Sequence, residues 1–182
     1  MYMRIALSGL KRSGKDTIGS YLIQNYSCKR FAFADEVKRL ARELFPEEFV
    51  QNDKPVDLLQ WLGNTMRQRN PDVWINRVST MIQLTKDPVP NLVVTDVRYP
   101  NEVQALKNLG FTIVKVQVPV EVSIERSKAT EVNFTEELLL HESEQLAQST
   151  EQYYDYIIEN TGTLEELYSK VDEMVEVLKS EL

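Results

Sequence analysis

The sequence predicts an α/β protein built on a mainly parallel sheet. Three observations carry this. Short apolar runs rich in β-branched residues alternate with stretches of helical period. A glycine-bounded loop follows the first such run, at Gly9. No repeat or low-complexity tract interrupts the alternation. At 182 residues the chain has the size of one ordinary domain, with room for small inserted lobes.

The elements follow in order. Arg4-Ile5-Ala6-Leu7-Ser8 reads as a buried strand ending at Gly9, and Asp16 to Gln24 as the helix after it. Arg30-Phe31-Ala32-Phe33 is a short apolar segment, followed by a helix from about Asp35 to Phe45 that Pro46 closes. Gln51 to Lys86 carries no strand signal, and Pro55 and Pro71 fall where first helical turns begin, so two helices are expected there. Asn91-Leu92-Val93-Val94-Thr95 is the clearest central strand, because a run this apolar needs cover on both faces, and it ends in Asp96. A helix from Asn101 to Leu109, stopped by Gly110, leads to a strand from Thr112 to Val118. The segment 120–150 reads as helical and polar, interrupted near Asn133. Tyr156 to Glu159 is a last strand, and Thr163-Leu164-Glu165-Glu166 is a capping box opening the C-terminal helix.

Composition narrows the function. Hydrophobic residues make up 42% and charged residues 27%, which is a globular composition. Cys28 is the one cysteine and His141 the one histidine, so neither an intrachain disulfide nor a Cys/His zinc site can form. A reducing, cytoplasmic setting fits. The N-terminal apolar run is broken at Lys11, too early for a signal peptide, and no stretch reaches membrane-spanning length. The net charge of -7 argues against a nucleic-acid partner, yet it is unevenly spread. Residues 1–100 hold 15 Lys/Arg against 11 Asp/Glu, and residues 101–182 hold 6 against 17, so phosphates are expected to meet the first half.

Gly9-Leu10-Lys11-Arg12-Ser13-Gly14-Lys15 lies between a strand and a helix, the context that a phosphate-binding loop requires. Glycines at both ends let the backbone curl into an anion-sized nest, the helix N-terminus adds its positive end, and Lys15 reaches the outer phosphates as a point charge. The Ser or Thr that usually follows the lysine and binds magnesium is replaced by Asp16, with Thr17 next. The metal ligand is open between the Asp16 carboxylate and the Thr17 hydroxyl. A second constellation, Asp96-Val97-Arg98, stands where the central strand ends, on the side of an open α/β sheet where ligands lie. Asp96 reads as a water-mediated magnesium ligand, as a group that polarises the acceptor, or as a turn former before Tyr99-Pro100. Arg98 reads as a phosphate clamp or as a partner of Glu102.

Together these segments resemble the deoxynucleoside monophosphate kinase family of phages and bacteria. The resemblance rests on Lys11 to Thr17, on Phe33-Ala34-Asp35 with Lys38, and on Thr95-Asp96-Val97-Arg98-Tyr99-Pro100-Asn101-Glu102. Asn70-Pro71-Asp72-Val73-Trp74, His141-Glu142-Ser143-Glu144 and Asn160-Thr161-Gly162-Thr163-Leu164 extend it from residue 4 to about 167. It implies a P-loop, nucleoside-monophosphate-kinase-like three-layer fold of one domain: a five-stranded parallel core over about 1–50 and 87–182, a helical acceptor-binding insertion over about 51–86, and a small lid over about 126–142. It implies ATP and Mg2+ as cofactors and small-molecule nucleotides as partners, with no membrane; the sequence leaves a homodimer open.

By position Asp35, Lys38 and Arg39 would sit over the acceptor, with Arg67, Arg69 and Trp74 enclosing its base and phosphate. An aromatic wall and cations suit a nucleotide, although Trp74 reads equally as core and Arg39 equally as a solvated helix face. The lid is poor in cations, since residues 119–145 contain only Arg126 and Lys128 against seven glutamates. Arg126 is the candidate for neutralising the migrating group. Asn160 and Gly162 resemble the loop that cups adenine, where backbone groups would read the base; a turn with a helix cap accounts for the same residues. The expected activity is phosphoryl transfer to a deoxynucleoside monophosphate, with Lys15, Asp35, Asp96, Arg98 and Arg126 around the reaction. The alternatives are a kinase of another small phosphorylated acceptor, of phosphomevalonate or dephospho-coenzyme A type, and an ATPase switch module.

Overall fold

The computed structural model describes residues 2–85, 91–130, 146 and 151–180. Five strands form one sheet: β1 (Arg4–Ser8), β2 (Cys28–Phe31), β3 (Asn91–Val97), β4 (Thr112–Gln117) and β5 (Tyr156–Glu159), in the spatial order β2-β3-β1-β4-β5. The pairings of β1 with β3, β1 with β4 and β4 with β5 are all parallel, as the alternation of short strands and helices predicts. The helices are α1 (Lys15–Tyr26), α2 (Phe33–Leu44), α3 (Val56–Arg69), α4 (Val73–Gln83), α5 (Pro100–Asn108), α6 (Val120–Lys128) and α7 (Leu164–Ser180). No described helix is long and apolar enough to cross a membrane.

The chain divides into two compact units, one of Met1–Arg30 with Asp87–Leu182 and one of Phe31–Lys86. The helical stretch expected over 51–86 falls inside the second unit, which also takes in α2.

In the first unit β1 is central and buried from Ile5 to Ser8, flanked by β3 and β4. Ile5, Leu7, Val93 and Val114 are completely shielded from solvent, which is why these strands read as apolar runs, and Ile18 and Leu22 of α1 are shielded with them. Helix α7 buries Leu167, Val171, Met174 and Leu178, the i, i+4, i+7 rhythm of one helical face. Gly19 lets α1 lie close on β3, since a Cβ there would stand 2.7 Å from Thr95 Cγ2. At the far end of α1, the Tyr21 and Tyr26 hydroxyls both donate to Asp172 of α7, at 2.9 and 2.6 Å, and Tyr21 stacks on Tyr168 with ring centroids 4.2 Å apart. The capping box is present: the Thr163 N–H donates to Glu166 Oε2 at 2.9 Å, and the Glu166 N–H to Thr163 Oγ1 at 3.2 Å.

The second unit is a packing of helices. Phe33, Val37 and Ala41 of α2, and Trp74, Val78 and Ile82 of α4, recur every four residues and are buried with Leu62 of α3. Phe45, forced out of the helical region by Pro46, ends α2. Pro55 and Pro71 stand just outside their helices rather than in the first turns: Pro55 is the residue before α3, and Pro71 lies in a turn in which the Val73 N–H bonds to the Asn70 carbonyl. A second difference is that β3 runs one residue past Asp96, to Val97. Of the polar segment 120–150, α6 covers Val120–Lys128, while Asn133 lies outside the described residues.

Glu36 is the buried charge of the helical unit, with its side chain only 6% exposed. Its Oε2 accepts from Arg77 Nε and Nη2 at 3.2 and 3.1 Å and from Arg39 Nε at 3.3 Å, so α2 and α4 are tied by one carboxylate. We expect Glu36→Gln, which keeps the volume but removes the charge, to cost about 1–2 kcal/mol. Urea denaturation would read this as a lower midpoint at constant slope, and an unchanged midpoint would deny the tie.

Cys28 provides a second check. It is packed among Ile5, Ile18 and Leu22 in the core cluster, and burial pushes its thiol up to about 11. The unfolded thiol ionises first, so the native form holds more protons between the two values, and this contribution to stability is present below about pH 9 and lost as pH rises toward 11. In native protein at pH 8, alkylation of Cys28 is expected to be slow and to accelerate with urea in step with unfolding; rapid modification without denaturant would contradict the burial.

Candidate functional site

The sequence folds a tight loop between β1 and α1 because each of its backbone carbonyls has somewhere to go. Gly9 adopts φ 150° and Gly14 φ 104°, both in the region that favours glycine, and Arg12 between them is left-handed at φ 59°. A Cβ at Gly9 would lie 2.3 Å from the Val116 carbonyl of β4, so the loop passes directly over that strand. The Ser13 N–H closes a turn on the Leu10 carbonyl at 3.1 Å, and the Ile18 N–H takes the Gly14 carbonyl at 3.0 Å as α1 begins.

Lys15 is 8% exposed, and its Nζ reaches back into the loop, donating to the Gly9 carbonyl at 2.8 Å, to the Leu10 carbonyl at 2.7 Å and toward Ser13 Oγ at 3.5 Å. Its charge therefore sits in the curve of the loop, beside the first turn of α1, whose N–H groups have no carbonyl to bond within the helix. Asp16 is exposed and Thr17 half-buried in that turn, while Lys11 is half-buried and Arg12 exposed.

The remaining loop carbonyls are met from outside. Ser123 Oγ of α6 donates to the Lys11 carbonyl at 2.6 Å. Arg126 Nη1 donates to the Arg12 carbonyl at 3.4 Å and Nη2 to the Asn160 carbonyl at 3.3 Å. Asn160 Nδ2, in a buried bond, donates to the Ser13 carbonyl at 2.8 Å. The sequence left the Asn160 loop open between backbone contacts with a base and a turn with a helix cap; the Asn160 side chain packs on the glycine loop, where a Cβ on Gly14 would stand 2.4 Å from its Nδ2. Gly162 sits beneath the capping carboxylate, where a Cβ would collide with Glu166 Oε2.

Asp96 is half-buried at an irregularity in the pairing of β1 with β3: Ala6 faces Val94, but Ser8 faces Val97, so β3 carries one extra residue opposite Leu7. Such a bulge re-aims side chains at a strand end. Just beyond it, the Arg98 and Tyr99 backbone N–H groups donate to Glu102 Oε2 at 2.8 and 3.2 Å, and Glu102 is buried. Both donors are main-chain groups. The first unit in this way gathers Gly9, Lys11, Arg12, Ser13, Gly14, Lys15, Asp16, Thr17, Arg126 and Asn160 at one loop.

In the helical unit Asp35 and Arg39 are exposed on α2, Lys38 is half-buried, and Arg39 pairs with Glu36 and Glu43 at 3.3 and 3.0 Å. Arg67 and Arg69 occupy the last turn of α3, and Arg67 Nη1 is 3.5 Å from the place of a Gly63 Cβ. Of its two readings, Trp74 takes the core one. Its ring is 3% exposed and its Nε1–H donates to the Gly63 carbonyl at 3.2 Å, so it locks α4 onto α3 and has no face to offer a base. Sequence reasoning missed Ser123, Glu36 and Arg77, because a lone serine or an i, i+3 charge pair on a helix carries no signal above an ordinary solvated face. Of the lid expected over about 126–142, residues 131–142 lie outside the described residues, as do His141, Glu142, Ser143 and Glu144.

Comparison with known proteins bears on this loop and on the fold. The family described as deoxynucleotide monophosphate kinase matches residues 4–65, the part that contains β1, the loop and α2. A putative deoxynucleotide monophosphate kinase of Acanthamoeba polyphaga mimivirus is 27% identical over 194 residues, covering 92% of this chain and 93% of that protein. Among solved structures, shikimate kinase from Acinetobacter baumannii in complex with shikimate superposes with TM-score 0.61 at 18% identity, over 100% of this chain and 95% of that one. TT1252 from Thermus thermophilus does so with TM-score 0.64 at 20% identity, over 100% and 98%. The structural likenesses establish the P-loop kinase fold, with its five-stranded parallel sheet. The sequence likenesses bear out the resemblance to the deoxynucleotide monophosphate kinase family.

Proposed function

We propose that this protein transfers the terminal phosphoryl group of ATP, in the presence of magnesium, to a deoxynucleoside monophosphate, giving the diphosphate. The observation that carries the reading is Lys15, whose ammonium is held by the Gly9 and Leu10 carbonyls at the mouth of a glycine loop that opens a helix. That arrangement suits an oligophosphate: its oxygens take the place of the two carbonyls at Nζ and meet the N–H groups of the first turn of α1.

Phosphoryl transfer asks for alignment and charge stabilisation more than for covalent chemistry. Lys15 and the loop hold the donor. Arg126, already at the rim of the loop, and Arg98, at the end of β3, are the cations we assign to the migrating group. Asp35, Lys38, Arg39, Arg67 and Arg69 of the helical unit are assigned to the acceptor, with Asp35 orienting it; an acceptor phosphate oxygen is already ionised and needs no strong base. Asp16, Thr17 and Asp96 are oxygen donors of the kind magnesium takes while keeping several waters, and the described residues contain no cluster of three or more acidic, His or Cys ligands of a fully protein-bound site. Bound there, the ion would neutralise charge on the outer phosphates. A cytoplasmic setting goes with this reading, since both substrates are intracellular metabolites.

The test is ADP release with ATP and magnesium, offering each deoxynucleoside monophosphate, its ribose counterpart, other phosphorylated acceptors, and no acceptor. Turnover that depends on a deoxynucleoside monophosphate is expected. Turnover indifferent to any acceptor would favour an ATPase switch, and turnover with another phosphorylated metabolite would keep the kinase and change its substrate. In the same assay Lys15→Ala is expected to lower kcat by at least about a hundredfold; near wild-type turnover would remove Lys15 from the mechanism.

A further inference from the structure

We infer that Ser123 and Asn160, with Arg126 as a looser third member, are positioning residues that hold the phosphate loop in its anion-binding shape before nucleotide arrives. The inference goes beyond the proposed activity and rests on it only for the loop as the site of ATP.

Three consecutive carbonyls are involved. Lys11, Arg12 and Ser13 present theirs to Ser123 Oγ, Arg126 Nη1 and Asn160 Nδ2 respectively. A peptide unit is planar, so the C=O of one residue and the N–H of the next point in opposite directions. Fixing the Ser13 carbonyl against Asn160 therefore sets the direction of the Gly14 N–H, and fixing the Lys11 carbonyl sets that of Arg12. With Lys15 on the Gly9 and Leu10 carbonyls and Ile18 on that of Gly14, every carbonyl from residue 9 to 14 has a donor.

The donors come from far along the chain, separated from their acceptors by 112, 114 and 147 positions. They reach the loop from α6 and from the residue after β5, so it is braced by two elements outside β1 and α1. The brace is also needed locally. Arg12 is a non-glycine residue at φ 59°, a conformation that persists only where the surroundings impose it. Ser123 is completely buried and Asn160 nearly so, and neither faces solvent for any other purpose. The distances rank the members: 2.6 and 2.8 Å for Ser123 and Asn160 are normal bonds, whereas 3.4 Å for Arg126 is long. The preset geometry spares the nucleotide the entropy of ordering the loop, and that saving is affinity.

The experiment titrates ATP with magnesium, without acceptor, into the full-length protein and into Asn160→Leu and Ser123→Ala. Amide hydrogen exchange is recorded on the same proteins without nucleotide. Each variant is expected to bind ATP more weakly, on the order of tenfold, with faster exchange confined to residues 11–14. Unchanged ATP affinity in both variants would overturn the inference. So would a weakening accompanied by faster exchange throughout β1 and β4, which would make the residues merely structural. Because no acceptor is present, a failure of the proposed acceptor leaves this result readable.

Discussion

The constraint on which the first unit depends is the disposal of the carbonyl groups between Gly9 and Gly14. A strand that stops at Ser8 and a helix that starts at Lys15 leave six residues in no regular structure, with Leu10 and Ser13 among them buried. Their carbonyls are taken by Lys15, Ser13, Ser123, Arg126, Asn160 and Ile18. The loop meets this constraint by directing its carbonyls to donors of the protein.

The sheet order follows from the same place. With β1 between β3 and β4, the loop leaving β1 meets the C-terminal ends of both neighbours. Val116 of β4 lies under Gly9, and the irregular Thr95-Asp96 segment of β3 lies beside Ser8. Glycine at 9 and 14 is required by φ and by close approach together, while Gly19 is required by approach alone, where α1 presses on Thr95. The loop is thus continuous with the packing of the core, and the apolar residues that stabilise the sheet also fix its course.

The helical unit is organised differently. Its helices close on Trp74 and on the Glu36 carboxylate, which draws in Arg39 and Arg77. Trp74 shows why sequence pattern misleads at such places: an aromatic residue after Asn70-Pro71-Asp72-Val73 fits a base wall and a core plug equally well, and only its 3% exposure and its bond to Gly63 distinguish them. A single cation such as Arg77 was equally illegible, since arginine on an exposed helix face ordinarily means nothing.

Local rules determined much of this protein from sequence alone. Strand and helix positions, the glycine loop at residue 9 and the capping box at Thr163 each rest on interactions within a few residues, and periodicity, glycine conformation and cap chemistry express those directly. Alternation of element types likewise entailed the parallel sheet. What tertiary structure alone decided is which distant side chains serve that loop: Ser123 and Asn160 are separated from it by more than a hundred residues, and nothing in their neighbours along the chain indicates a backbone carbonyl as partner. The physical reason is that a buried carbonyl accepts from any donor the fold brings within reach, so its partner is chosen by topology and not by motif.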